Sequence, residues 1–370
     1  MLGTDRSPAL RGRVRGLGGG QPDQADAIFL SGRVRRIRTP KRRETVGQMR
    51  TPWSMKVGVA LGGGAARGLA HVGVLRALLR EGVPVDVVTG TSMGAIIGGA
   101  YAATGDIALV EEGVRKVLSS EQFRRNRLNF LRETKQQRGG LLYSVTNLVR
   151  RGIVYGASTM RQSFLSAEEF AKSMEAILPD VRIENLPTPF AAVALDLRAG
   201  EEVIFCHGAL RHACWASSAI PGILPPVRVD GRVMVDGGWV DKVPILPAFR
   251  MGADVVIAVD ISADLEDTRD YTRGIDVFMR ANAIKDSFLV AFQRSIADVV
   301  VEPSVRKVHW ADFGAVDHCI AAGDEAAVKA VPHIREVLRS ERWRSVVRPL
   351  LGKRLAEVYL ASEDLRVRVE

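Results

Sequence analysis

Cysteine is scarce in this chain. Cys206, Cys214 and Cys319 are the three present, with no repeated spacing between them. That excludes a disulfide framework and a cysteine-based zinc site, and it fits a reducing compartment. Long apolar runs are missing too. The longest uncharged stretch, residues 87–105, is interrupted by glycines and carries strand-turn-helix punctuation, so it reads as folded core and not as a membrane span. No apolar run follows the Arg-rich N-terminal segment, so no secretory signal is expected. Internal repeats are absent. No glycine-rich turn continues into the Gly-Lys-Ser/Thr of a phosphate-binding P-loop.

What is present is ample for a buried core: 46% of the 370 residues are hydrophobic. One large domain with an added tail is the expected organisation. The formal charge of +10 is unevenly spread. Residues 1–50 (twelve Lys/Arg, four Asp/Glu) and residues 115–151 (ten against two) each carry +8, which leaves the rest at −6. Basic segments on an acidic body can bind anionic lipid headgroups or nucleic acid, or can simply be solvated. Residues 1–54 are rich in Arg, Gly and Pro and are expected to form a disordered basic extension, with Met49 or Met55 as alternative starts. The main domain is drawn at 55–338, with a helical cap or insertion at 106–184, and a helical tail at 339–370.

Apolar periodicity gives the order of elements. Residues 57–61 are a short buried strand that ends in glycines. A helix follows with Leu69, Val72, Leu75, Leu78 and Leu79 on one face, stopped by Gly82 and Pro84. Residues 85–89 read as a second strand and 95–103 as a second helix. Further strands are expected at 190–195, 202–205, 228–235 (a hairpin about Asp230-Gly231), 255–260 and 298–302. Helices are expected at 209–217, 273–297 and 321–338. Strands alternating with helices imply parallel pairing through crossovers, an α/β fold.

Two turns in this framework carry chemistry. Gly90-Thr91-Ser92-Met93-Gly94 matches G-x-S-x-G, the nucleophile elbow. A serine on a sharp strand-to-helix turn crowds its neighbours, and glycine two residues either side relieves the crowding. The helix that starts there presents its positive end to a developing negative charge. The alternative is a helix-packing turn with an incidental serine. Gly62-Gly63-Gly64-Ala65-Ala66-Arg67-Gly68 follows the first strand, and its amides can converge on an anion. A dinucleotide site would need glycine where Arg67 stands, although Asp86 falls near the position of a ribose-binding acid. An oxyanion hole beside the elbow accounts for both loops. Arg67 could equally pair with a carboxylate at the helix start.

A serine nucleophile needs a base. His71, His207, His212, His309, His318 and His333 sit in no motif that announces that role. Asp236 is better placed, at the end of a strand and before Gly237-Gly238, although an aspartate before glycines is also an ordinary turn signal.

Taken together, the glycine loop at 62–68, the elbow at 90–94, Ala216-Ser217-Ser218-Ala219-Ile220-Pro221-Gly222, and Asp236-Gly237-Gly238 resemble the patatin-like phospholipase family. The likeness is to its bacterial branch related to neuropathy target esterase, and it covers roughly residues 55–327. The resemblance implies a three-layer α/β/α sandwich with a mainly parallel sheet. It implies hydrolysis of acyl chains from phospholipids or lysophospholipids by a Ser–Asp dyad, without histidine, metal or cofactor. Ser92 would be the nucleophile and Asp236 the base, with Gly237 and Gly238 in the proton-acceptor motif. Gly90, Met93 and Gly94 would frame the elbow. The oxyanion hole would come from the loop of Gly62, Gly63, Gly64, Arg67 and Gly68, chiefly the amides around Gly63 and Gly64. One departure is visible: Asp241 stands where the family often has asparagine.

The expected location is cytoplasmic, peripheral on the inner face of an anionic membrane. The basic 115–151 segment, with Phe123, Leu128, Phe130 and Leu131 among arginines, is the expected contact. Nucleic acid is not an expected partner. The rival reading is a catalytically silent lipid-binding or regulatory protein on the same scaffold.

Overall fold

The structure, a computed structural model, describes residues 55–121, 123, 167–263, 265 and 274–351. The expected basic extension, most of the 115–151 segment and the end of the tail lie outside these residues. Eight strands form one sheet: β1 Val57–Leu61, β2 Val87–Thr91, β3 Phe190–Asp196, β4 Glu201–Phe205, β5 Val227–Val229, β6 Arg232–Asp236, β7 Val255–Val259 and β8 Val299–Val301. Their order is β5-β6-β3-β2-β1-β7-β8, with β4 also paired to β3. The β3-β2-β1-β7-β8 run is parallel; β4, β5 and β6 pair antiparallel.

Side-chain alternation sends each strand's residues to two helical layers. Val57, Val59 and Leu61 join a core with helices α1 Ala70–Arg80, α2 Met93–Thr104, α3 Ile107–Ser119, α5 Leu210–Ser217 and α8 Val316–Leu351. Ala60, Val256 and Ala258 face the other way, onto α6 Ile245–Arg250. Two further helices, α4 Ala167–Glu175 and α7 Gly274–Arg294, complete those described. The fold is the expected three-layer α/β/α sandwich. No helix among the described residues is long and apolar enough to cross a membrane.

The central fact of the topology is the use of β3. It pairs β2 through residues 190–193 and β6 through residues 194–196, while β4 covers 192–196. A strand has two edges, and β4 overlaps both partners in register. So β2 and β6 share the other edge, end to end. Thr91 stands opposite Val193 and Asp236 opposite the next residue, Ala194.

Several boundaries differ from the sequence reading. β2 runs to Thr91 and not to residue 89, because Gly90 and Thr91 pair with β1 and β3. Helix α6 has no counterpart in the periodicity; it is six residues long and holds Pro247 in its first turn, where no helical amide is lost. Helix α8 begins at Val316 and runs unbroken through the boundary drawn at 338. The hairpin stands as expected: Asp230 and Gly231 both have positive φ, as a type I′ turn demands.

Candidate active site

Ser92 stands where β2 gives way to α2. Its φ of 57° and ψ of −121° are outside the regions an L-residue favours. This is the strained turn that G-x-S-x-G spacing serves. A Cβ on Gly90 would lie 2.4 Å from the backbone of Gly94, and one on Gly94 would lie 2.1 Å from the Leu61 carbonyl oxygen. The serine's own N–H donates to Ser217 Oγ at 2.9 Å. The sequence assigns Ser217 no role of its own beyond the family-like 216–222 segment, and no local pattern marks a partner 125 residues away. Ser217→Ala would strand a buried amide, and such a loss costs about 1–3 kcal/mol. A lower urea midpoint is therefore expected; an unchanged midpoint would show that the elbow does not depend on this bond.

Asp236, the last residue of β6, is buried. Its carboxylate lies close enough to the Ser92 side chain for that hydroxyl to pull its pKa down, and it accepts Gly238 N–H at 2.7 Å. Its own N–H donates to Ala219 O at 3.0 Å, so the segment 216–222 touches both members of the pair. Burial pushes the carboxyl up to about 6, against the opposing pull of Gly238, Ser92 and Lys242. Gly237 is tight against β3: a Cβ there would lie 2.3 Å from Val193 O.

The glycine loop is spent differently from expectation. Gly62 N–H donates to Val259 O (3.1 Å) and Gly63 N–H to Lys242 O (2.8 Å), so these two amides hold the loop to β7 and to the turn after Asp236. The amides of Gly64 and Ala65 make no hydrogen bond among the described residues. Gly63 lies beside Ser92, with a Cβ position 3.4 Å from Ser92 Cβ. Gly64 clears the Ile261 side chain, and Gly68 clears Met93, each by lacking a Cβ. Arg67 is buried and donates to Ile261 O (2.9 Å) and Val308 O (3.2 Å). It is a strut that ties the loop to two chain segments, not a partner of a carboxylate. His71 is also a strut: its Nε2–H donates to Gly62 O at 2.7 Å, and burial lowers its pKa to about 4.

Beyond Asp236 the chain is pinned to β2. Thr91 Oγ1 donates to Asp241 O (2.8 Å) and Thr89 Oγ1 to Pro244 O (2.6 Å). The Asp241 carboxyl is buried and hydrogen-bonds Glu202. Burial and that neighbour hold it well above the usual carboxylate range.

Ser92 opens into a cavity of about 930 Å³, part of it open to solvent, with almost wholly apolar walls. Met93 and Ile96 of α2, Val114 and Val117 of α3, and Phe170 and Met174 of α4 line it. Phe123 and Phe313, also in the lining, meet edge to face at 5.3 Å. Among the described residues there is no cluster of three or more His, Cys, Asp or Glu suited to a metal.

The patatin-like phospholipase family model matches residues 59–249, just over half the chain. The chain belongs to that family. An uncharacterized NTE family protein of Mycobacterium bovis is 36% identical over 211 residues, covering 56% of this chain and 50% of its own. A patatin-like phospholipase domain-containing protein of Caenorhabditis elegans is 33% identical over 64% of this chain and 16% of its own. Lysophospholipase NTE1 of Kluyveromyces lactis is 28% identical over 58% of this chain and 13% of its own. The match thus spans half the length of the mycobacterial relative and a smaller part of the others. The patatin match encloses the glycine loop, the elbow and the Asp236 turn.

Proposed function

We propose that the protein is a serine acyl hydrolase that removes acyl chains from phospholipids or lysophospholipids. The observation that carries this reading is the placement of Ser92 beside the buried carboxylate of Asp236, brought together where two strands meet on one edge of β3. Asp236 takes the hydroxyl proton as Ser92 Oγ attacks the ester carbonyl. The amides of Gly64 and Ala65 donate to the oxyanion; one such donor contributes about 3 kcal/mol in rate. The alkoxide leaves with the proton, an acyl-enzyme remains, and water activated by Asp236 releases the fatty acid. The apolar cavity beside Ser92 suits an acyl chain. Membership of a phospholipase family supports the substrate class. A cytoplasmic protein peripheral on an anionic membrane face completes the proposal.

The test is a fluorophosphonate probe applied to native protein and to Ser92→Ala, followed by a lysophospholipid assay. Labelling confined to the native protein, with fatty acid released, is the expected result. Folded native protein that does not label would favour the silent lipid-binding alternative.

The raised carboxyl makes a second test. A base must be ionised, so kcat/KM on a soluble ester is expected to rise with pH through about 6 and to level off above it. A profile flat from pH 4 to 8 would remove Asp236 from the base role.

A further inference from the structure

Helix α7 turns its apolar side outward. Val277, Ile284, Phe288 and Phe292 recur at helical spacing along one face, with Phe278 at its margin, and all five are between 37% and 75% exposed. The opposite face is the packed one, where Val290 and Gln293 are buried. An amphipathic helix of a water-facing domain normally has the reverse arrangement. An exposed apolar patch of this kind marks a surface that meets something else.

Two observations say what it meets. The helix that carries this face is anchored to the candidate catalytic turn. Gln293 accepts from Val243 N–H and donates to Val240 O, both at 3.3 Å, which fastens α7 to that turn. Trp239, three residues after Asp236, is 42% exposed, and the Lys285 ammonium lies 5.3 Å from its ring centroid. The second observation is chemical. An indole beneath a lysine, flanked by exposed phenylalanines, is the side-chain set that settles where acyl chains meet water: rings enter, and the ammonium stays with the headgroups.

We infer that the outer face of α7, together with Trp239, is the surface on which the protein seats on an anionic lipid membrane. Seating there brings the Asp236 turn to the layer that holds the substrate, a purpose that rests on the hydrolase reading above. The contact itself does not.

The test uses Ser92→Ala protein, so that no lipid is consumed, floated with phosphatidylcholine vesicles containing about one third phosphatidylglycerol. Adding Phe288→Glu and Phe292→Glu is expected to lower vesicle partitioning by roughly tenfold or more. Both side chains are more than half exposed, so the melting temperature should not move. In otherwise native protein the pair should lower hydrolysis of vesicle-borne lipid and leave fluorophosphonate labelling within about twofold. Unchanged partitioning in the folded variant overturns the inference. A native dimer that turns monomeric in the variant, with vesicle binding intact, assigns the face to a second copy and overturns it too. Native protein that binds vesicles through this face but never labels would leave the surface standing and defeat the hydrolase reading.

Discussion

Ser92→Ala is expected to lower turnover of a lysophospholipid by about 10⁴–10⁶-fold, and Asp236→Asn by a comparable factor. The reasoning is that neither group works alone. A serine hydroxyl is a weak nucleophile until its proton has a destination, and Asp236 is the buried carboxylate beside Ser92. Asparagine keeps an oxygen for Gly238 N–H but offers no basic electron pair that can hold a proton. Members of one proton-transfer unit are strongly non-additive, so the double variant should be no slower than Ser92→Ala alone. Single-turnover rates for the three variants would check this. Multiplicative losses in the double variant would mean that the two side chains act on separate steps.

The elbow at Ser92 was legible in the sequence because its signal is local. Ser92, the strand before it, the helix after it and the two glycines lie within one short window, and the crowding they relieve is between immediate neighbours. Asp236 was different. Its position depends on β6 pairing with β3 at the residue next to β2's last partner, which is a relation among three distant segments. Family resemblance pointed to it where local pattern could not. The glycine loop shows the limit most plainly. Its composition announced converging amides, but which of them are already occupied depends on the carbonyls of Val259 and Lys242. Arg67 likewise met the carbonyls of Ile261 and Val308, which no spacing rule connects to it.

Asp236→Asn is also expected to make the protein more stable at pH 8. Burial lifts this carboxyl from its ordinary 3.8 to about 6. Between those values the unfolded chain has released its proton and the folded chain has not. Native stability therefore falls as pH rises through that window, and the penalty is complete above it. Each unit corresponds to about 1.4 kcal/mol, so the penalty is at most about 3 kcal/mol. Asparagine is neutral in both states and escapes it. Urea unfolding of the two proteins should differ by up to that amount at pH 8 and converge near pH 4. Equal stability at pH 8, or a gap that widens on acidification, would contradict a carboxylate held in an apolar setting. The expected gap would make the site one where chemistry and stability place opposite demands on a single residue.

The end-to-end meeting of β2 and β6 has a consequence for heredity. The spacing of Ser92 and Asp236 is set by hydrogen-bond register on β3, because residues 234–236 are indexed to 194–196. Lengthening the tip at Asp230-Gly231 leaves that index untouched. One residue added between Met234 and Asp236 would turn the carboxylate to the other side of the sheet. Within a single hairpin, then, descendants of this gene are free to gain and lose codons at one end and are forbidden a single one at the other.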